Sequence, residues 1–146
     1  MDPLGYGTHI TVDGFGASAP LLDEPWVIGA AYDLLRTLGP GGAEPLKVSY
    51  WFPDGVSVGL ARPESHLTLH TFAGRRLVCV GIFTPQIVSV QGFSSVFGGR
   101  FAVGRLEGHL GSRSVALPQD EGSALRYLLG ERNYTDVRLD DNLMVA

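Results

Sequence analysis

Polar and apolar residues alternate from Thr8 to Val12, with β-branched side chains at most positions, which predicts a half-buried strand. Asp13-Gly14-Phe15-Gly16 interrupts it. Asp23 then stands as an N-cap with Pro25 in the first turn. Trp26, Ala30, Asp33 and Leu34, with Ile28, Ala31 and Leu35, recur at helical spacing up to Gly39-Pro40. Three further apolar or alternating runs follow closely: Lys47–Phe52, Val56–Ala61 and His66–Phe72. Pro53-Asp54-Gly55 reads as a turn in which proline presets φ and glycine accepts a positive φ. Ala73-Gly74-Arg75 makes the next turn and Leu77–Phe83 a fourth strand. A strand, a helix and then a meander predict the α+β class: a two-layer sandwich, mainly an antiparallel sheet with helices packed on one face.

The remainder is less regular. Gln86–Val96 suits a strand or an irregular excursion, and Phe97–Gly111 reads poorly as either state because glycine weakens both. Ser123–Arg132 has helical spacing at Leu125, Leu128 and Leu129, after the acidic Asp120-Glu121. Thr135–Leu139 and Leu143–Val145 read as a final strand or two. With no internal repeat and no linker, one domain over residues 1–146 is expected.

Composition narrows the class. A chain of 146 residues is long enough to bury about two-thirds of its unfolded surface. Hydrophobic content of 45% against 18% charged residues suits a compact fold rather than a disordered chain. A net charge of −4 without a basic stripe argues against nucleic acid as a partner. The one cysteine, Cys79, excludes an intramolecular disulfide and a multi-cysteine metal site, and no metal is expected. No basic segment leads into an apolar run at the N-terminus, and no stretch approaches ~20 apolar residues. A cytoplasmic protein without membrane spans is therefore expected.

The chemistry concentrates in Pro63-Glu64-Ser65-His66-Leu67-Thr68-Leu69-His70-Thr71. This run resembles the self-cleavage site of the pyruvoyl-dependent S-adenosylmethionine decarboxylases, the short bacterial and archaeal type. Gly7-Thr8-His9-Ile10-Thr11-Val12-Asp13-Gly14-Phe15-Gly16, Pro20-Leu21-Leu22-Asp23, Gly55-Val56-Ser57 and Ile82-Phe83-Thr84 are similar to that family at consistent spacing, over roughly residues 5–85. About 86–146 shows no such match.

The resemblance implies a proenzyme. Ser65 attacks the Glu64 carbonyl and an ester replaces the amide; elimination leaves dehydroalanine, which hydrolyses to a pyruvoyl group and ammonia. Residues 1–64 and 65–146 then end as β and α chains, with the covalent cofactor derived from Ser65. Such a nucleophile needs a base and a strained peptide. The family's helpers in maturation correspond to His70 and Ser57, which the meander is expected to bring near Ser65. The mature group forms a Schiff base with a small amino-acid-type substrate and takes up the electrons released with CO₂. Trp51 and Phe72 match positions that line the substrate pocket, Trp51 being equally suited to covering the core. The family relation further implies polyamine biosynthesis and a homodimer or higher homo-oligomer with sites near the subunit interface.

Two departures bear on the substrate. The family carries a proton-donating cysteine where this chain has Pro85, and an acidic ribose-binding residue where it has Gly74, followed by Arg75 and Arg76. L-Arginine or L-ornithine is therefore expected in place of S-adenosylmethionine; a decarboxylase of S-adenosylmethionine itself and a catalytically silent binding subunit are the alternatives. A basic substrate needs a carboxylate for its distal cation, for which Asp13, Glu24, Asp54 and Glu107 are candidates. Cys79 lies about 20 Å along its strand from Pro85 and reads as a buried core residue. A Ser65–His70 hydrolase pair lacks the surrounding Gly-x-Ser-x-Gly elbow.

Overall fold

The structure, a computed structural model, describes residues 8–38, 44–63, 65–85, 89–111 and 120–145. Its elements run β1 (Thr8–Phe15), α1 (Glu24–Arg36), β2 (Leu46–Phe52), β3 (Gly55–Ala61), β4 (His66–Phe72), β5 (Leu77–Thr84), α2 (Val90–Phe101), β6 (Arg105–Gly111) and α3 (Glu121–Val145). The strands form one six-stranded sheet in the order β2-β3-β4-β5-β1-β6, and every neighbouring pair is antiparallel. The α+β class and the antiparallel sheet agree with the sequence.

Pleating gives the sheet two chemically different faces. On one, Ile10, Val12, Val56, Val58, Leu60, Leu67, Leu69, Val78, Val80 and Ile82 form the core with the buried sides of α1 and α2. Asp23 caps α1 by accepting from the Trp26 N–H at 3.1 Å, and Val27, Ala30, Ala31, Leu34 and Leu35 are buried. Ser89 caps α2 by accepting from the Gly92 N–H at 3.0 Å. Phe93, Phe97 and Phe101, each one helical turn after the last, bury against the same core.

Three expectations change in the C-terminal half. Residues 90–101 form a helix despite Gly92, Gly98 and Gly99, because three phenylalanines on one face gain more from burial than the glycines lose in propensity. Residues 105–111 form an edge strand along β1. Residues 121–145 are one 25-residue helix, so Thr135–Leu139 and Leu143–Val145 are helical and not strands.

The helices also divide between the two faces. α1 and α2 share one, whereas Ala124 and Leu128 of α3 pack on Val48 and Ala61, which point to the other. This layer is anchored mainly by charged side chains, so apolar periodicity marks only Ser123–Arg132 as helical.

Gly55, at the start of β3, matters for room and not for φ. Among the described glycines only Gly16 has a positive φ, 74°. A Cβ on Gly55 would lie 1.8 Å from the Thr71 carbonyl oxygen and 2.9 Å from Arg132 Nη2. Neither a paired backbone nor a buried guanidinium can retreat that far. Gly55→Ala is expected to cost more than about 2 kcal/mol, read as a lowered urea midpoint; an unchanged midpoint would show that β3 can move away from β4.

Candidate active site

The strand register lays a row of polar groups across the face beneath α3. Tyr50 of β2 stands opposite Ser57 of β3, Ser57 opposite His70 of β4, His70 opposite Cys79 of β5, and Cys79 opposite Asp13 of β1. Glu107 of β6 continues the row beyond Asp13. Neighbouring strands are about 4.8 Å apart, so six sequence-distant residues become lateral neighbours. Ser57, His70, Cys79 and Asp13 are all buried.

α3 supplies the partners for this row. Ser57 Oγ lies 2.8 Å from His70 Nδ1, and His70 Nε2 lies 2.7 Å from Glu131 Oε1. Arg132 Nη1 donates to Ser57 Oγ at 3.0 Å and to the Val56 carbonyl at 3.3 Å. Its Nη2 donates to the Thr71 carbonyl at 2.8 Å and to Asp54 at 3.3 Å. The same guanidinium lies between the Phe52 and Phe72 rings, 4.3 and 4.2 Å from their centroids. Further along α3, Arg138 donates from both terminal nitrogens to the Asp13 carboxylate, each at 3.2 Å, and Arg75 pairs with Asp136.

A cavity of about 920 Å³ opens between α3 and the β1–β5–β6 part of the sheet. His9, His70, Cys79, Glu107 and Glu131 reach its wall. Burial pushes the Cys79 thiol well above its usual value, and the Asp13 carboxylate adds to the effect, so this sulfur remains a neutral thiol. Burial alone would raise Glu131, but hydrogen bonds from His70 and Thr68 outweigh it and hold the carboxylate below its usual range. Burial presses Arg132 down, with Asp54 offsetting part of that loss.

Ser57 and His70 are thus brought together, and Phe72 joins them through Arg132. Ser65 is not. It sits just before β4, half-buried, with its carbonyl accepting from the Arg62 N–H at 2.8 Å. His70 is the fifth residue after it, about 16 Å along one strand. The meander therefore holds the pair at the far end of the hairpin from Ser65, contrary to the proximity expected from the sequence. Glu64 lies outside the described residues. Trp51 points to the opposite face, where its Nε1 donates to the Leu22 carbonyl at 3.2 Å, so within the chain it does not meet the row.

Of the candidate carboxylates, Asp13 is neutralised by Arg138 and Asp54 pairs with Arg132. Glu24 accepts from Ser49 on the opposite face at 3.0 Å. Glu107 stays half-exposed at the cavity beside Arg105. Glu131, Arg132 and Arg138 were not singled out in the sequence, where their only signal was a mixed-charge continuation of a helical pattern. Cys79, read there as a core residue, is buried with Phe72 and Leu77 and also borders the cavity beside His70. Among the described residues no group of three or more His, Cys, Asp or Glu could hold a metal, and no helix is long and apolar enough to cross a membrane.

The antiparallel sheet thus carries a Glu-Ser-His run at the β3–β4 connection and a buried serine–histidine pair in the same hairpin. The family model described as S-adenosylmethionine decarboxylase matches residues 8–113, and the chain belongs to that family. It is 32% identical over 95 residues to S-adenosylmethionine decarboxylase proenzyme 2 of a Bacillus cereus strain, covering 60% of this chain and 76% of the relative. Proenzyme 2 of Bacillus anthracis is similar to the same extent. The fold resembles the crystal structure of the adenosylmethionine decarboxylase from Aquifex aeolicus VF5, with a TM-score of 0.62 at 13% identity, covering 80% of this chain and 98% of that one. α3 begins after the family-matched segment ends.

His66, one residue after Ser65, stacks on Phe83 with ring centroids 5.7 Å apart. Burial holds its imidazole down to about 4, against a usual 6.5. Between those values the unfolded chain binds a proton that the folded one refuses, so stability falls as pH drops from 6.5 towards 4. The loss is of the order of 3 kcal/mol at most. Urea unfolding at pH 7 and pH 4.5 is expected to show this drop, and His66→Gln to shrink it; equal pH dependence in both proteins would remove His66 as its source.

Proposed function

We propose that this family member is a pyruvoyl-dependent decarboxylase that matures by breaking its own backbone between Glu64 and Ser65. The observation that carries the reading is the intact Glu64-Ser65-His66 run at the β3–β4 connection of a chain belonging to this family. The surroundings of Ser65 fit a break there. β3 and β4 are locked by consecutive pairs from Ser57↔His70 to Ala61↔His66, and β4 is also paired along its length with β5. A new chain end at residue 65 would stay held in the sheet interior. A pyruvoyl group there supplies an electrophilic carbonyl and an electron sink for the loss of CO₂ from an amino-acid substrate.

The ~16 Å between Ser65 and His70 is too long for a hydrogen bond within one chain. We take the working form to be a homodimer or higher homo-oligomer in which the Ser57–His70 pair of one copy serves Ser65 of another. For substrate, L-arginine or L-ornithine in polyamine biosynthesis is favoured over S-adenosylmethionine. Pro85 and Gly74 stand where the family places its proton donor and ribose carboxylate, while Glu107 and Glu131 offer carboxylates at the cavity wall.

A second reading has its own support: α3 covers the row so closely that Ser57 is 0% and His70 2% exposed. A silent subunit that keeps the fold as a binding partner would tolerate such a seal.

Freshly purified wild-type protein is expected to give the masses of residues 1–64 and 65–146, with a carbonyl on the second that borohydride reduces, while Ser65→Ala stays whole. Co-expressed Ser65→Ala and His70→Ala chains should restore cleavage of the second. Labelled arginine, ornithine and S-adenosylmethionine then separate the substrates by CO₂ release. A wild-type chain that stays whole and traps no reagent leaves the silent subunit as the surviving reading.

A further inference from the structure

Glu131 and Arg132 belong to α3, outside residues 8–113 that match the family. They are nevertheless the side chains that bond the two residues implicated in self-processing. We propose that Glu131 is a positioning residue for His70, completing a Ser57–His70–Glu131 proton relay that Arg132 orients and that opens to the cavity at its Glu131 end. This rests on the self-processing reading given above.

The donors and acceptors allow one direction for a neutral ring. A guanidinium can only donate, so Ser57 Oγ accepts from Arg132 at 3.0 Å. The ionised Glu131 carboxylate can only accept, so in a neutral ring the hydrogen sits on Nε2, 2.7 Å from it. Nδ1 is then the acceptor, and the serine hydrogen points at it across 2.8 Å. Thr68, two residues earlier on the same face of β4, helps to hold the Glu131 carboxylate below its usual range. About a quarter of the Glu131 side chain stays accessible, 28% against 3% for His70. When His70 takes a proton on Nδ1, the N–H bond forms as the Ser57 O–H bond breaks. The imidazolium is balanced by Glu131 and the serine oxygen faces Arg132, so neither new charge is left unpaired in a buried site. Such balancing is what makes a buried histidine usable as a base.

The charged and titratable neighbours of His70 come from every element around it. Glu131 and Arg132 belong to α3, Cys79 to β5 and His66 to β4, with Asp13 and its partner Arg138 beyond Cys79. Among them Glu131 is the group bonded to Nε2, so its charge sets the ring's tautomer.

The test uses the full chain. In Ser65→Ala protein labelled with ¹⁵N-histidine, long-range ¹H–¹⁵N spectra near pH 7.5 should show His70 as the Nε2–H tautomer, its signals identified by their loss in His70→Asn. Adding Glu131→Gln should bring in the Nδ1–H form. In the otherwise wild-type chain Glu131→Gln should slow self-cleavage at least tenfold, with Glu131→Asp recovering part of the rate and thermal melts confirming that both fold. A His70 ring with Nδ1–H in the parent protein, or Glu131→Gln cleaving within twofold of wild type, would overturn the relay. If the wild-type chain never cleaves, the self-processing reading falls instead, and the tautomer alone decides for or against the hold of Glu131 on His70.

Discussion

A single guanidinium makes the second face of this sheet habitable. Arg132 meets two backbone carbonyls, a serine hydroxyl and a carboxylate while lying between two phenylalanine rings. Burying a charge is costly unless it is paired and fully hydrogen-bonded, and arginine's planar fork suits such a site where lysine's point charge does not. Through Arg132 a helix with a largely polar sequence lies on a polar sheet face, and Gly55 must lack a side chain so that this guanidinium and the Thr71 carbonyl can come so close.

The two faces divide structure from chemistry. The face under α1 and α2 is mainly aliphatic and aromatic, and it supplies most of the burial that holds the domain together. That leaves the other face free to carry Asp13, Cys79, His70 and Ser57 in one row. Such a row would be costly without partners; α3 provides Glu131, Arg132 and Arg138, and each turns a buried polar group into a satisfied one. Helix and row are therefore interdependent: the helix has little apolar reason to dock apart from Ala124 and Leu128, and the row has little reason to stay dry without it.

Family membership and this extra helix pull the functional reading in complementary directions. The segment shared with the decarboxylases contains the Glu64-Ser65-His66 run and the serine–histidine pair, and α3, which lies beyond it, covers that pair and borders a cavity next to it. About 16 Å of strand lies between Ser65 and His70, so the two do not meet within one hairpin.

Much of this was legible beforehand for physical reasons. Alternation and turn residues located β1 to β5 and α1, because half-buried strands and capped helices leave local signatures, and the Glu64-Ser65-His66 run is a local motif in residues already adjacent. α2 was hidden because three glycines mask three phenylalanines whose value exists only against a core. α3 was split into helix and strand because its anchors are charges, which show no apolar period. Neither the pairing of Asp13 with Cys79 nor the reach of Glu131 to His70 could be read, since strand order and the choice of sheet face are non-local. The amino-acid order by itself determined the meander and the Glu64-Ser65-His66 run, both written in neighbouring side chains. Tertiary structure alone decided which distant residues share a rung, because that follows from closing β1 onto β5 and laying the last helix across them.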